Sequence, residues 1–213
     1  MQTAALTEPS RRQLTEDKKR RHFLQVAQRQ FLKHGYDGTS IGSIIDITGG
    51  SKSTIYKYFG NKEQLFSEVI LATSHDYDLE LLANTEADIH STLVEYAKDR
   101  LRQVYSEDHI RMVRIVIAEA ERFPDIARTF FTQAPKIAFD GLSEYLATQS
   151  RKGRLVVCAP HLAAEAFLGG LLMKGLLGRL FDMTAPPSDA DITDRARAVT
   201  DAFLAVHGAD RRQ

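Results

Sequence analysis

Cysteine is almost absent from this sequence. Cys158 is the only one in 213 residues, which excludes an internal disulfide framework and fits a reducing compartment. No apolar run reaches the roughly 18–20 residues that a membrane-spanning helix needs. The longest candidate, 163–177, is interrupted by Glu165 and Lys174. The N-terminus, MQTAALTEPSRRQ, lacks an apolar signal core, so a cytoplasmic protein with no membrane partner is expected. The seven histidines form no HxxxH pair and no His/Cys cluster, so no metal site is expected. A Gly-rich phosphate loop, a nucleophile elbow and a zinc motif are all missing, as are paired carboxylates inside an apolar cluster. With them goes the usual equipment of an enzyme. No catalytic residue and no cofactor are expected. Sustained strand-like alternation, internal repeats and low-complexity tracts are missing too.

What is present is ordinary in amount and uneven in placement. Hydrophobic residues make up 43% and charged residues 26%, with a net charge of zero. Residues 1–62 hold eleven Lys and Arg against five Asp and Glu, while the remainder holds 17 against 23. A basic front on an acidic back is the charge layout of a phosphate-facing head on a body that phosphate does not attract. Arg11, Arg12, Lys18, Lys19, Arg20 and Arg21 concentrate that charge. The cluster is either a solvated run or, beside a DNA-reading unit, a phosphate contact.

The spacing predicts an all-α chain. Residues 1–15 are polar, carry Pro9 and are expected to form a mobile arm. Helix one is predicted over 16–33, with Phe23, Val26, Ala27 and Phe31 on one face and Gly35 as its stop. Thr39 and Ser40 are cap candidates for a short helix over 41–48. Gly49 and Gly50 turn the chain, Ser51 caps a second short helix over 52–59, and Gly60 ends it. Asn61 and Gln64 are spaced as a capping box for a fourth helix running to about residue 83. Later helices are predicted over 88–105, 108–122, 124–150 with a kink at Pro135, 160–181 and 189–207.

Two short helices joined by a glycine turn form a helix-turn-helix, whose second helix fits the major groove, about 12 Å wide. The spacing puts Ile55 and Phe59 on its inner side. It leaves Lys52, Ser53, Thr54, Tyr56, Lys57 and Tyr58 for base edges and phosphates, with Lys62 at the start of the fourth helix.

The run Gly35-Tyr36, Thr39-Ser40-Ile41, Gly49, Ser51-Lys52, Thr54-Ile55-Tyr56-Lys57-Tyr58-Phe59 and Asn61-Lys62-Glu63-Gln64-Leu65-Phe66 resembles the DNA-binding domain of the TetR family of bacterial transcriptional regulators. The stretch 117–145 is similar to the ligand-binding half of the AcrR/AefR-like branch. The resemblance implies an N-terminal three-helix helix-turn-helix DNA-binding domain joined to a larger helical ligand-binding and dimerisation domain. The boundaries expected are 1–15 for the arm, 16–62 for the head and 63–213 for the effector half. It implies a homodimer on a palindromic duplex operator, acting as a repressor released by a small apolar or amphipathic effector. Ser53, Thr54 and Lys57 are expected at base edges. Thr39, Tyr56, Tyr58 and Lys62 are expected at phosphates, with Ser40 and Lys52 in the same interface. Tyr56 has the alternative of packing the flank of its helix.

The sequence departs from the family at Ile45, Thr48 and Gly50, where alanine, alanine and an apolar residue, often valine, are usual. Losing an apolar plug at Gly50 costs about 1–3 kcal/mol unless the gap is refilled. The expectation is that Ile45 refills it, and that Gly50→Val reports whether it does.

In the second half, Tyr96, Met112, Ile115, Glu119, Phe123, Phe131, Phe139 and Phe167 are candidate ligand contacts. For any one of the apolar members a plain core position is the alternative. Glycine costs about 1 kcal/mol inside a helix, and 160–181 carries Gly169, Gly170, Gly175 and Gly178. Close helix approach compensates, so Gly169, Gly170, Met173, Leu177 and Phe203 are expected in a four-helix dimer interface, as the resemblance implies. Three readings compete with a ligand-released repressor: an activator or ligand-independent regulator, a helical partner-binding protein whose head has weakened or lost DNA binding, and an enzyme.

Overall fold

The structure, a computed structural model, describes residues 11–74, 80–133 and 135–209. The expected arm over 1–10 lies outside them. Among the described residues the chain is helical, and its one β-type contact is an isolated bridge between Leu155 and Gly208. It forms two compact units that divide between Ala72 and Thr73. The first therefore extends about a helix beyond the boundary expected at residue 62.

The first unit holds α1 (Arg11–His34), α2 (Ile41–Thr48), α3 (Lys52–Phe59) and most of α4 (Lys62–Ser74). α1 begins earlier than the periodicity indicated, because no glycine or proline interrupts the chain between Arg11 and Glu16. Gly35 stops it at φ +72°, its N–H returning to Phe31 O at 2.8 Å. α2 starts at Ser40, whose hydroxyl accepts from Ser43 N at 3.0 Å while Ser43 Oγ accepts from Ser40 N at 3.2 Å. This reciprocal box satisfies two donors that the helix cannot. Ser51 caps α3 from one side only, its hydroxyl accepting from Thr54 N at 3.3 Å. Asn61 Oδ1 accepts from Gln64 N at 2.8 Å to start α4.

Phe23, Val26, Ala27 and Phe31 of α1, Ile44 of α2, Ile55 and Phe59 of α3, and Leu65 and Phe66 of α4 make the core. Phe31 packs edge-on to Phe66 at 4.6 Å and stacks on Tyr36 at 5.9 Å. Each such side chain contributes about 1.5–3 kcal/mol by leaving water. α4 belongs to this unit because its apolar face closes that core.

The second unit holds α5 (Glu80–Ala83), α6 (Ile89–Val104), α7 (Glu107–Glu119), α8 (Pro124–Gln133), α9 (Lys136–Arg151), α10 (Pro160–Leu180) and α11 (Asp189–His207). The expected continuation of the fourth helix to residue 83 falls partly on 75–79, outside the described residues. The single kinked helix expected over 124–150 is two helices. Pro135 has no N–H to give and crowds the preceding turn, and it stands as the N-cap of α9 at φ −82°. α7 stops three residues early, at Glu119, whose carbonyl accepts from Arg122 N and Phe123 N in the turn that leads to Pro124.

Leu93, Tyr96 and Leu101 of α6, Leu142 and Leu146 of α9, and Phe167 and Leu171 of α10 share one core with Ala196 and Phe203 of α11. Segment 84–88 is held against the end of α9 at one carbonyl. Thr85 O accepts from Gln149 Nε2 at 3.0 Å, Arg154 Nη1 at 2.9 Å and Lys152 Nζ at 3.3 Å. At the other end, Val156 N donates to His207 O at 2.7 Å.

Candidate nucleic-acid interface

α3 is two turns long and sorts its residues by face. Ile55 and Phe59 are buried, while Lys52, Ser53 and Lys57 are exposed. Tyr56 is 48% exposed, half covered by its surroundings and half open to solvent. Tyr58 is half-buried, its ring 6.1 Å from Phe23 and 6.0 Å from Phe59. Three hydroxyls meet at the N-terminus of α3. Ser51 Oγ lies 2.7 Å from Ser53 Oγ and 3.1 Å from Thr54 Oγ1. The helix thus presents hydroxyls at its first turn, where the backbone dipole is positive, and an ammonium and a phenol one turn on.

Around α3 the expected contacts divide. Ser40 is exposed at the start of α2. Lys62 Nζ sits 4.2 Å from the centroid of the Tyr36 ring, a cation–π contact that fixes its ammonium at the first turn of α4. Thr39 is a correction. It is 1% exposed, and its hydroxyl donates to Gly35 O at 2.8 Å. Its oxygen closes the α1–α2 corner rather than facing a phosphate. A threonine beside a cap serine carries no local sign of which of the two hydroxyls turns inward.

The turn between α2 and α3 is also corrected. Gly49 has φ +72° and Gly50 φ +103°. A Cβ built on Gly50 would meet only Phe23 Cζ within 4 Å, at 3.9 Å, and Gly50 is exposed, so the residue faces open space rather than a buried slot. Ile45 is half-buried, and glycine stands at residue 50 because the backbone there disfavours any side chain. Arg20, in sequence one member of the basic cluster, is tied to the head instead of being simply solvated. Its guanidinium pairs with Glu68 and lies 5.3 Å from the Phe59 ring centroid. That pins α1 to α3 and α4.

In the second unit the candidate ligand contacts differ in burial. Tyr96 is fully buried and its hydroxyl donates to Ala138 O at 3.1 Å. Met112 and Phe167 are buried, and Ile115, Glu119, Phe123 and Phe139 are half-buried. Phe131, near the end of α8, is 80% exposed and lines no interior of this chain. Burial pushes the pKa of the His109 imidazole down to about 4, and the Phe130 ring centroid lies 6.4 Å from it.

The expected interface residues also separate. Gly169 and Gly170 are exposed with nothing within 4 Å of a built Cβ. Met173 is 55% and Leu177 44% exposed. Phe203 instead packs edge-on to Phe167 at 5.3 Å, inside the core. Gly175 and Gly178 serve the chain itself. A Cβ on Gly175 would lie 2.2 Å from Tyr105 Oη and one on Gly178 2.8 Å from Thr184 Oγ1. Near the start of α10, a half-open apolar cavity of about 450 Å³ is lined by Val156, Val157, exposed Cys158, Leu162, Ala166 and Val206.

Residues 23–69 match the bacterial regulatory proteins of the tetR family. Residues 91–209 match the C-terminal domain of AefR-like transcriptional repressors. The chain belongs to the TetR family. It is a DNA-binding transcriptional regulator, and its all-α fold of helix-turn-helix head and helical second domain is the family's. The chain is 28% identical over 159 residues to the HTH-type transcriptional repressor AcnR of Corynebacterium efficiens, covering 73% of this chain and 80% of that one. It is also similar to the crystal structure of a TetR-family regulator from Mesorhizobium loti, with a TM-score of 0.82 at 28% identity, covering 94% and 100% of the two chains. The flavonoid-responsive regulator FrrA superposes with a TM-score of 0.74 at 26% identity, covering 92% and 100%. Among the described residues, no helix is long and apolar enough to cross a membrane.

Proposed function

We propose that this TetR-family chain is a homodimeric repressor that lays α3 in the major groove of a palindromic operator and leaves it when a small apolar or amphipathic effector binds. The observation that carries the DNA half is the sorting of α3, with Ile55 and Phe59 inward and Lys52, Ser53, Tyr56 and Lys57 outward. Ser53, Thr54 and Lys57 read base edges. Tyr56, Tyr58 and Lys62 hold phosphate, and Ser40 and Lys52 flank them. Dimerisation uses the exposed line of Gly169, Gly170, Met173 and Leu177 on α10, which a partner helix would cover. The effector lies against the α6, α7 and α10 side chains Tyr96, Met112, Ile115, Glu119 and Phe167, with Phe123 and Phe139 beside them. The aromatic and methionine content sets its apolar class. The names of the AcnR relatives, as repressors, and of FrrA, as flavonoid-responsive, support repression and effector control.

A gel shift against a palindromic site tests the reading. Lys57→Ala should change base preference, whereas Lys62→Ala should weaken all sequences alike. Absence of any sequence-preferring binding at low salt would falsify the DNA half. For the effector half, a compound that raises the melting temperature should also lower DNA affinity. Stabilising compounds that leave DNA affinity unchanged sink it.

A further inference from the structure

α1 is longer than the head requires. It spans Arg11–His34, but among the described side chains, which start at Glu16, the buried ones begin at Phe23 and continue through Leu24, Val26, Ala27 and Phe31. Residues 11–22 are a helical overhang of about 18 Å. The family match begins only at residue 23. The overhang carries six of the chain's 28 cations, Arg11, Arg12, Lys18, Lys19, Arg20 and Arg21, against Glu16 and Asp17. Arg20 is engaged with Glu68, and Arg21 Nε donates to the Asp17 carbonyl at 3.4 Å. Lys18 and Lys19 are exposed. Glu16 stands three residues before Lys19 and reduces this charge without reversing it.

The overhang starts at the recognition helix. Phe23 lies 6.1 Å from Tyr58 and 6.5 Å from Phe59 by ring centroids, and its Cζ would lie 3.9 Å from a Cβ built on Gly50. Arg20 caps the Phe59 ring. The opposite end of α1 is engaged elsewhere, Phe31 packing on Phe66 of α4. The basic stretch is therefore continuous with α3, not with the far side of the head.

We propose that the N-terminal overhang of α1 is a phosphate-tracking arm that grips duplex DNA flanking the half-site read by α3. The inference rests on the DNA-reading role proposed above. The arm's length corresponds to about five base pairs at ~3.4 Å each. It adds affinity and salt dependence without adding base preference, since phosphates carry no sequence information directly.

The test compares two duplexes by fluorescence anisotropy over a range of salt. One is the bare palindrome; the other carries about six extra base pairs of arbitrary sequence at each end. The native chain should bind the flanked duplex roughly tenfold or more tightly. Lys18→Gln/Lys19→Gln keeps helix formers in place and removes only charge. It should lose that gain, and the salt slope should fall by roughly 2 per protomer, at about 0.9 per phosphate, with base preference unchanged. Lys18→Glu/Lys19→Glu should bind the flanked duplex more weakly than the bare one. If the native chain reads its palindrome but gains nothing from flanks, or if the glutamine variant keeps gain and slope, the arm is overturned while the DNA reading stands. If the native chain shows no sequence-preferring binding, both fall.

Discussion

At φ +103°, Gly50 occupies backbone that a β-branched side chain rarely adopts. Gly50→Val should therefore lower stability by about 1–3 kcal/mol in chemical denaturation. A stable variant with native DNA affinity would show that the turn relaxes to accept it. Thr39 teaches the same lesson from the other side: two adjacent hydroxyls, one capping and one buried, look alike until the corner they close is known. His109 offers a test by pH. The unfolded chain protonates this imidazole near 6.5 and the folded chain only near 4. Between those values the unfolded state binds more protons, so this group's contribution to stability is intact above 6.5 and is lost as pH falls towards 4. The loss has a ceiling of roughly 3 kcal/mol. His109→Gln should gain on the native chain by up to that amount between pH 7 and pH 4. A gap that stays constant over the range means that the imidazole is not held neutral.

The short elements of the head were legible because each end carries a chemical mark within four residues. Ser40, Ser51 and Asn61 open helices, and Gly35 and Gly60 close them. The second unit is governed by contacts between residues far apart, which local pattern does not encode. Phe203 faces Phe167 rather than a partner, and Phe131 faces solvent. Pro135 announced a disturbance but not that the helix divides. The glycines of α10 separate by the same criterion. Gly175→Ala should destabilise the chain by roughly 1–3 kcal/mol through overpacking against Tyr105, seen as a lower melting temperature. Gly169→Ala meets nothing in its own chain, so it should leave the protomer folded and weaken dimerisation in sedimentation. If it alters neither, the exposed line on α10 is not the interface.

For the molecule as a whole, the separation of charge is the sequence feature with the widest consequence. A basic first third and an acidic remainder cancel to zero, so bulk properties such as the isoelectric point, near 7.1, conceal a head suited to polyanions. The division between Ala72 and Thr73 gives each half its own core and hence its own response to substitution. Changes in α3 should leave the melting of the second unit unaltered, and changes in α10 should leave α3's preference unaltered. Cys158 gives the assembly a ruler. As the only thiol in the chain, exposed in the cavity between 156–166 and Val206, it accepts one nitroxide per protomer. A lone protomer would then give no dipolar modulation in pulsed electron resonance. A two-fold pair would give a single inter-spin distance, whose change on adding operator or effector reads out the motion of one subunit against the other.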